Sequence, residues 1–260
     1  MIQFENDYLT VFQSVLYQTT TAIVKTNEAL IMTDPNWLPQ EVEAIQTYIK
    51  QIIGQRKLFI IYTHSDYDHI IGAGAFPDAT TIASKAFCDR IEKDAVLQQI
   101  LQFDAQYYIE RSYPVVYPTI DIVIEEDGQK LQLGETICTF YFAPGHTKDG
   151  LFTIIAPHRI LLAGDYLSNV EFPFVGNINE YMSTLHKVQA LFDNHQFSTL
   201  VPGHGATTED EQQILRRIQQ SLEYLILLRT NMDLEPMLKE RYPFYNGLIE
   251  MHRENKSKLL

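Results

Sequence analysis

The stretch His64-Ser65-Asp66-Tyr67-Asp68-His69 lies one residue beyond Leu58-Phe59-Ile60-Ile61-Tyr62, an apolar run that predicts a buried strand. Four side chains of metal-binding type therefore crowd one strand-to-helix turn. The pattern recurs in Pro144-Gly145-His146-Thr147, Leu162-Ala163-Gly164-Asp165 and Val201-Pro202-Gly203-His204-Gly205. Each of these ends an apolar run in a single His or Asp beside a glycine. Borderline divalent metals are bound by imidazole and carboxylate, and a rigid fold presents such ligands from strand ends.

Of the eight histidines, His64, His69, His146 and His204 sit in these motifs, while His158, His186, His195 and His252 have no matching partners. A solitary histidine is ordinarily a packing or solvated residue, but four at strand ends beside Gly or Asp point to a shared centre. Residues two apart in extended chain face the same way, which predicts His64, Asp66 and Asp68 on one side, with His69 turning into the next helix. Gly145 and Gly203 precede histidines at sharp turns, where a Cβ would crowd the ligand shell or demand unfavourable backbone angles.

The rest of the chain predicts what carries this centre. Short β runs at Tyr8 to Phe12, Thr21 to Val24 and Ala29 to Thr33 form a meander. A helix follows from Pro39, with Val42, Ile45, Ile49, Ile52 and Ile53 as its apolar stripe and Gly54 at its end. After the strand at 57–62 come a β run near Thr80 to Ala83 and a helical stretch from Ser84 to Phe103. A second β region runs from Ile120 to Leu162. A helix over 179–193, a strand at 198–201 and a helix opened by the capping box Thr208-Glu209-Asp210-Glu211 complete the pattern. Meander, helices, meander, helices fits two sheets sandwiched between helices better than one doubly wound sheet. We expect one domain over residues 1–260, a helical cap at about 84–112 and a helical C-terminal extension at about 232–260. That extension, with Pro236, Pro243 and Phe244, either packs on the body or reaches the partner chain of a homodimer.

A net charge of −13 argues against a nucleic-acid polyanion as the natural partner, because phosphate binding needs a clustered basic surface. Cys88 and Cys138 are far apart and lack CxxC spacing, so two isolated thiols in a reducing compartment are expected. No apolar run approaches the roughly 18 residues of a membrane span, and no basic-then-apolar leader opens the chain. The expectation is a cytoplasmic protein with no membrane partner and a small-molecule substrate.

The ordered motif set resembles the metallo-β-lactamase superfamily of metallohydrolases over about residues 20 to 210. The resemblance implies a four-layer αβ/βα sandwich, of mixed α/β class, with a metal centre at one edge of the two sheets. The family's first block is His-x-His-x-Asp-His, and here its second histidine is Asp66. By position, His64, Asp66 and His146 would hold one divalent ion, Asp68, His69 and His204 the other, and Asp165 would bridge them with a water or hydroxide. Should Asp66 be too short to reach, one ion would remain on Asp68, His69, His204 and Asp165; Asp66 as a plain turn residue is the third reading.

Two ions carry four positive charges, offset by Asp66, Asp68, Asp165 and one hydroxide, so the core counts as near neutral, one unit less positive than the family's usual set. That lowers the acidity of bound water less effectively, and the extra oxygen donor favours Mn²⁺ or Fe²⁺ over the family's Zn²⁺. The resemblance implies hydrolysis of a small ester, lactone or thioester, with Asp68 orienting the nucleophile and passing a proton. Alternatives are a phosphodiesterase, a non-haem iron redox enzyme of sulfur dioxygenase or diiron type, and a silent binding protein. Tyr166 and Tyr181 are the candidate substrate-binding residues, because lactonase-like relatives use a tyrosine downstream of the bridging Asp. The Leu167 to Phe174 stretch is expected at the rim.

Overall fold

The computed structural model describes residues 1–230 and 232–258. Strands β1 (Ile2–Glu5), β2 (Leu9–Gln13), β3 (Thr20–Lys25) and β4 (Ala29–Thr33) form an antiparallel meander. The chain crosses through α1 (Pro39–Ile52) and returns as β5 (Lys57–Ile61), parallel to β4. The short α2 (Tyr67–Ile70) leads on to β6 (Thr80–Ser84), and α3 (Lys85–Asp89) with α4 (Lys93–Tyr107) to β7 (Ile122–Ile124). These seven strands make one sheet in sequence order.

The second sheet starts with β8 (Gln129–Leu133), β9 (Thr136–Phe142), β10 (Leu151–Ala156) and β11 (Ile160–Leu162), all antiparallel neighbours. After α5 (Ile178–Asp193), β12 (Thr199–Val201) joins β11 in parallel. Helices α6 (Glu211–Leu228), α7 (Glu235–Arg241) and α8 (Tyr245–Ser257) close the chain.

The period-2 alternation of side chains along a strand explains the layering. In β5, Phe59 and Ile61 face the second sheet, while Ile60 and the following Tyr62 face α1. In β11, Ile160 and Leu162 face the first sheet and Leu161 faces the helices of the other side. Strands buried on both faces read as unbroken apolar runs, as these do. Three cores result: α1 with α3 and α4 against sheet one, sheet against sheet, and sheet two against α5 to α8. This is the four-layer αβ/βα sandwich expected from the element order.

Several local expectations shift. The helical stretch from Ser84 breaks at Arg90 to Glu92 into α3 and α4. The cap of α6 is Asp210, which accepts the Gln212 and Gln213 N–H groups, rather than Thr208; Thr208 is held in a bridge to Leu200. The C-terminal segment lies on the body, with Leu234, Leu238, Tyr242 and Tyr245 buried in the outer core of sheet two. Both cysteines are free, Cys138 buried and Cys88 half-buried. Among the described residues no helix is long and apolar enough to cross a membrane.

Candidate metal centre

The ends of β4, β5, β11 and β12 and the β9–β10 turn lie at one shared edge of the two sheets, and their loops converge. Backbone bonds tie them together: Leu151 N–H donates to the Thr63 carbonyl (2.8 Å), Ala163 N–H to that of Val201 (2.9 Å) and Gly203 N–H to that of Gly164 (2.6 Å). Such close approach leaves no room for side chains at two turns. A Cβ on Gly203 would sit 2.4 Å from Asp165 Oδ1, and one on Gly145, where φ is +126°, would meet Tyr181 Cα at 2.3 Å.

Onto this edge the fold brings His64, Asp66, Asp68, His69, His146, Asp165 and His204. Their donor atoms form three groups, each within 4.8 Å: His64, Asp66 and His146; Asp68, His69 and His204; and His64, His69 and Asp165. Asp68 does not share a side with His64 and Asp66, as two-residue spacing predicted. Extended chain stops at Asp66 (φ −67°, ψ 149°), Tyr67 opens α2, and the helical turn swings Asp68 across to His204.

Asp165 divides its two oxygens between the outer groups. Oδ1 lies 2.9 Å from His69 Nε2 and 3.3 Å from His204 Nε2. Oδ2 lies 3.2 Å from His146 Nε2 and 3.6 Å from His64 Nε2. Asp66 Oδ2 is 3.3 Å from His146 Nε2, and Asp68 Oδ2 is 3.4 Å from His204 Nε2. Two ligands each 2.0–2.1 Å from a tetrahedral ion stand about 3.3 Å apart. The spacing suits cations between the donors.

The far side of each imidazole fixes its tautomer. His69 Nδ1–H donates to Asp34 Oδ2 (3.0 Å), His146 Nδ1–H to the Phe174 carbonyl (2.9 Å) and His204 Nδ1–H to the Tyr17 carbonyl (2.9 Å). Thr63 spends its hydroxyl proton on Asp34 Oδ2 (2.5 Å), so its lone pair accepts His64 Nδ1–H (3.1 Å). In the neutral rings every Nε2 therefore aims a lone pair at the cluster. His64 Nε2, His146 Nε2 and Asp165 Oδ1 are buried without a hydrogen-bond partner, and the Nε2 atoms of His69 and His204 face each other at 3.4 Å. Inward lone pairs and carboxylates at these distances need positive charge among them, and the residues present fit divalent ions.

Protonation follows the same logic when protons supply that charge. Burial alone would lower the histidines, but Asp165 and Asp68 hold His69 well up, Asp165 and Asp66 do the same for His146, and Glu171 with Asp165 lifts His204 to about 10. Burial would raise Asp165, and the cations of His69, His204 and His64 instead drive it well down.

Three contributors had no motif to reveal them. Asp34 follows directly on β4 and orients His69 directly and His64 through Thr63; an Asp between the strand and Pro35 was its only mark. Glu171, from the Leu167 to Phe174 loop, sits 3.9 Å from His204 Nδ1, and burial pushes its carboxyl up to about 7. Arg90 comes from the α3–α4 break and lies 3.6 Å from Asp66 Oδ1.

Tyr166 and Tyr181 pack against each other behind Asp165 with their rings tilted by 39°, both buried. The Tyr166 hydroxyl accepts His146 N–H (3.0 Å) and donates to the Pro144 carbonyl (2.8 Å), while the Tyr181 hydroxyl donates to the Asp165 carbonyl (3.2 Å). Their polar atoms serve the ligand loops. In the loop expected at the rim, Leu167, Val170 and Phe172 are buried.

A family model described as the metallo-beta-lactamase superfamily matches residues 15–226. The chain is 26% identical over 200 residues to a lactamase-like protein, vrtG, of Penicillium aethiopicum, covering 75% of this chain and 54% of that protein. It is 24% identical over 166 residues to the acyl-coenzyme A thioesterase MBLAC2 of Homo sapiens, covering 60% of this chain and 58% of that protein. The chain thus spans little more than half the length of these curated relatives. Its fold matches a metallo-beta-lactamase from Pontibacter korlensis with a TM-score of 0.61 at 17% identity, covering 87% of this chain and 98% of that one.

Proposed function

The chain belongs to the metallo-beta-lactamase superfamily, and from that premise we propose that it is a hydrolase of small esters and thioesters that works with two divalent ions. The observation that carries this reading is the division of Asp165 between two groups of inward-facing donors at ligand spacing. His64, Asp66 and His146 would hold one ion, Asp68, His69 and His204 the other, and Asp165 both. Bound there, such ions polarise a carbonyl oxygen and make water acidic enough to attack near neutral pH.

The remaining work falls to the protein's own groups. Asp68 turns Oδ2 towards His69 and His204 while its side chain keeps some solvent access, 13%. With Oδ2 on the ion, its other oxygen would orient a water and pass a proton to the departing group. Asp34, Thr63, Tyr166 and Tyr181 hold the donors in place. Substrate enters over the Asp66 side, where a cavity of about 610 Å³ is lined by Arg90, Ile91, Thr147 and Lys148 among others. That volume suits a small ligand. Ile91, almost fully exposed, offers an apolar surface for an acyl group. The acyl-coenzyme A thioesterase among the relatives favours thioesters over phosphodiesters.

The test is a panel of thioester, ester, lactone and phosphodiester substrates, with and without chelator, on the parent and on Asp165→Asn. Turnover of acyl substrates that chelator and the variant both abolish is expected. Turnover of phosphodiesters alone, or oxygen consumption in place of hydrolysis, would overturn the reading.

A further inference from the structure

Asp66 stands where the family's first block has histidine, and it is the most solvent-accessible of the donors. Its side chain is 35% exposed, against 13% for Asp68 and 10% for Asp165. Its Oδ2 faces inward, 3.3 Å from His146 Nε2 and 3.8 Å from His64 Nε2. Its Oδ1 faces outward, 3.6 Å from Arg90 Nη1.

Arg90 is not a loose surface cation. The same Nη1 donates to the Ser65 carbonyl (3.0 Å) and to Ser65 Oγ (2.6 Å), so the guanidinium grips the residue next to Asp66. Ser65 is fixed in turn, its N–H donating to Asp149 Oδ2 (3.0 Å). Ser84 Oγ donates to the Asp149 carbonyl (2.7 Å) and accepts Phe87 N–H (3.2 Å), which caps α3. The break after α3 thus delivers Arg90 to the outer face of Asp66 through buried polar contacts.

We propose that Arg90 is a positioning residue paired with Asp66, restoring the positive charge that aspartate removes from the centre and holding its carboxylate with Oδ2 turned inward. Relative to the family's histidine, Asp66 takes away one unit of positive charge, and Arg90 supplies one. The near-neutral count reached from the sequence omits it. A planar guanidinium anchored on Ser65 also limits rotation of the carboxylate, so Oδ2 stays on the His64 and His146 side. The inference rests on Asp66 being a metal donor, as proposed above.

The pair makes a prediction that ordinary structural support does not. Removing Arg90 should matter only while residue 66 is an aspartate. The experiment is a calorimetric titration of chelator-stripped protein with Zn²⁺, and separately with Mn²⁺, on the parent, Arg90→Gln, Arg90→Lys, Asp66→Asn, Asp66→His and the double variant Asp66→His/Arg90→Gln. Thermal melting of each metal-free protein checks that it is folded. Loss of a group behind a ligand typically costs about 10–100-fold in affinity. The guanidinium charge by itself would repel a second cation, so a loss of affinity reads its hold on the carboxylate: we expect a loss of that size for the weaker-bound ion in Arg90→Gln, partial recovery in Arg90→Lys, and less than about twofold change when Arg90→Gln is added to Asp66→His. An equal loss in both backgrounds would overturn the pairing and make Arg90 a support of the Ser65 turn. Asp66→Asn leaving both ions as tightly bound as in the parent would overturn the donor reading itself, a result separable from the first.

Discussion

Asp68, His69 and His204 form the floor of the centre, and Asp66 with His146 forms its rim. On the floor, His69 is fully buried and its outer nitrogen is held by a carboxylate, Asp34, itself buried. On the rim, Asp66 is one-third exposed and is backed by a cation, Arg90, that is 27% exposed. The floor is shaped by groups that orient histidines; the rim is shaped by a charge pair open to solvent. Interactions of buried groups are less screened than those of exposed ones. The floor should therefore hold its ion more tightly, and the rim should exchange its ion first.

The strongest break to that asymmetry comes from the residue shared by both sides. Asp165→Ala removes a donor from each group, and binding measured by dialysis against chelator should fall for both ions together, by more than about 100-fold. If only one ion is lost, the two sides do not share Asp165.

Asp34→Asn comes next. It frees the Nδ1 atoms of His69 and, through Thr63, of His64, so both ions should weaken, the floor ion by about 10–100-fold. Asp66→Ala should act on the rim alone, with one equivalent lost on dialysis and the other retained. Loss of both ions from Asp66→Ala would erase the distinction between rim and floor.

The pH dependence sharpens the comparison in the metal-free protein. His204 is raised from 6.5 to about 10, with His69 and His146 raised as well. A raised histidine contributes stability that is fully present below the unfolded value and lost as pH rises through the folded one. Asp165 is lowered, so its contribution is present above about 3.8 and lost only towards acid. Metal-free protein should therefore be less stable to urea at pH 9 than at pH 6. Metal competes with those protons, so apparent metal affinity should rise over the same interval. Urea melts with chelator and titrations without it read the two trends, and parallel trends would contradict the shared proton and metal positions.

The smallest effect belongs to the tyrosines. Tyr166→Phe removes one hydroxyl from the His146 loop and should cost about 1 kcal/mol of stability in a urea melt. A large drop in kcat with unchanged stability would return Tyr166 to the substrate.

Legibility from the sequence followed the same division. The seven candidate donors lie in four blocks that each follow an apolar run, and β5, β9, β11 and β12 bring those blocks together because the two sheets pack face to face. Asp34 was missed because an Asp between a strand and a proline reads as an ordinary turn, and its role depends on β4 lying beside β5. Arg90 was hidden inside an apparent helix: no Gly or Pro marks the break between α3 and α4, and only the packing of Phe87, Val96 and Ile100 sets it. Tyr166 and Tyr181 were expected to face substrate; their hydroxyls meet the backbone of His146, Pro144 and Asp165, a direction that depends on how the β9–β10 turn lies against α5 and that no spacing encodes. Strand β1, short and half exposed, had too little apolar pattern to register.

The central claim is a pair of ions shared by Asp165. Elemental analysis of the protein purified without added metal or chelator tests it most directly. The account predicts close to two equivalents of divalent metal per chain, falling to about one in Asp66→Ala. One equivalent or less in the parent, unchanged in that variant, would contradict it.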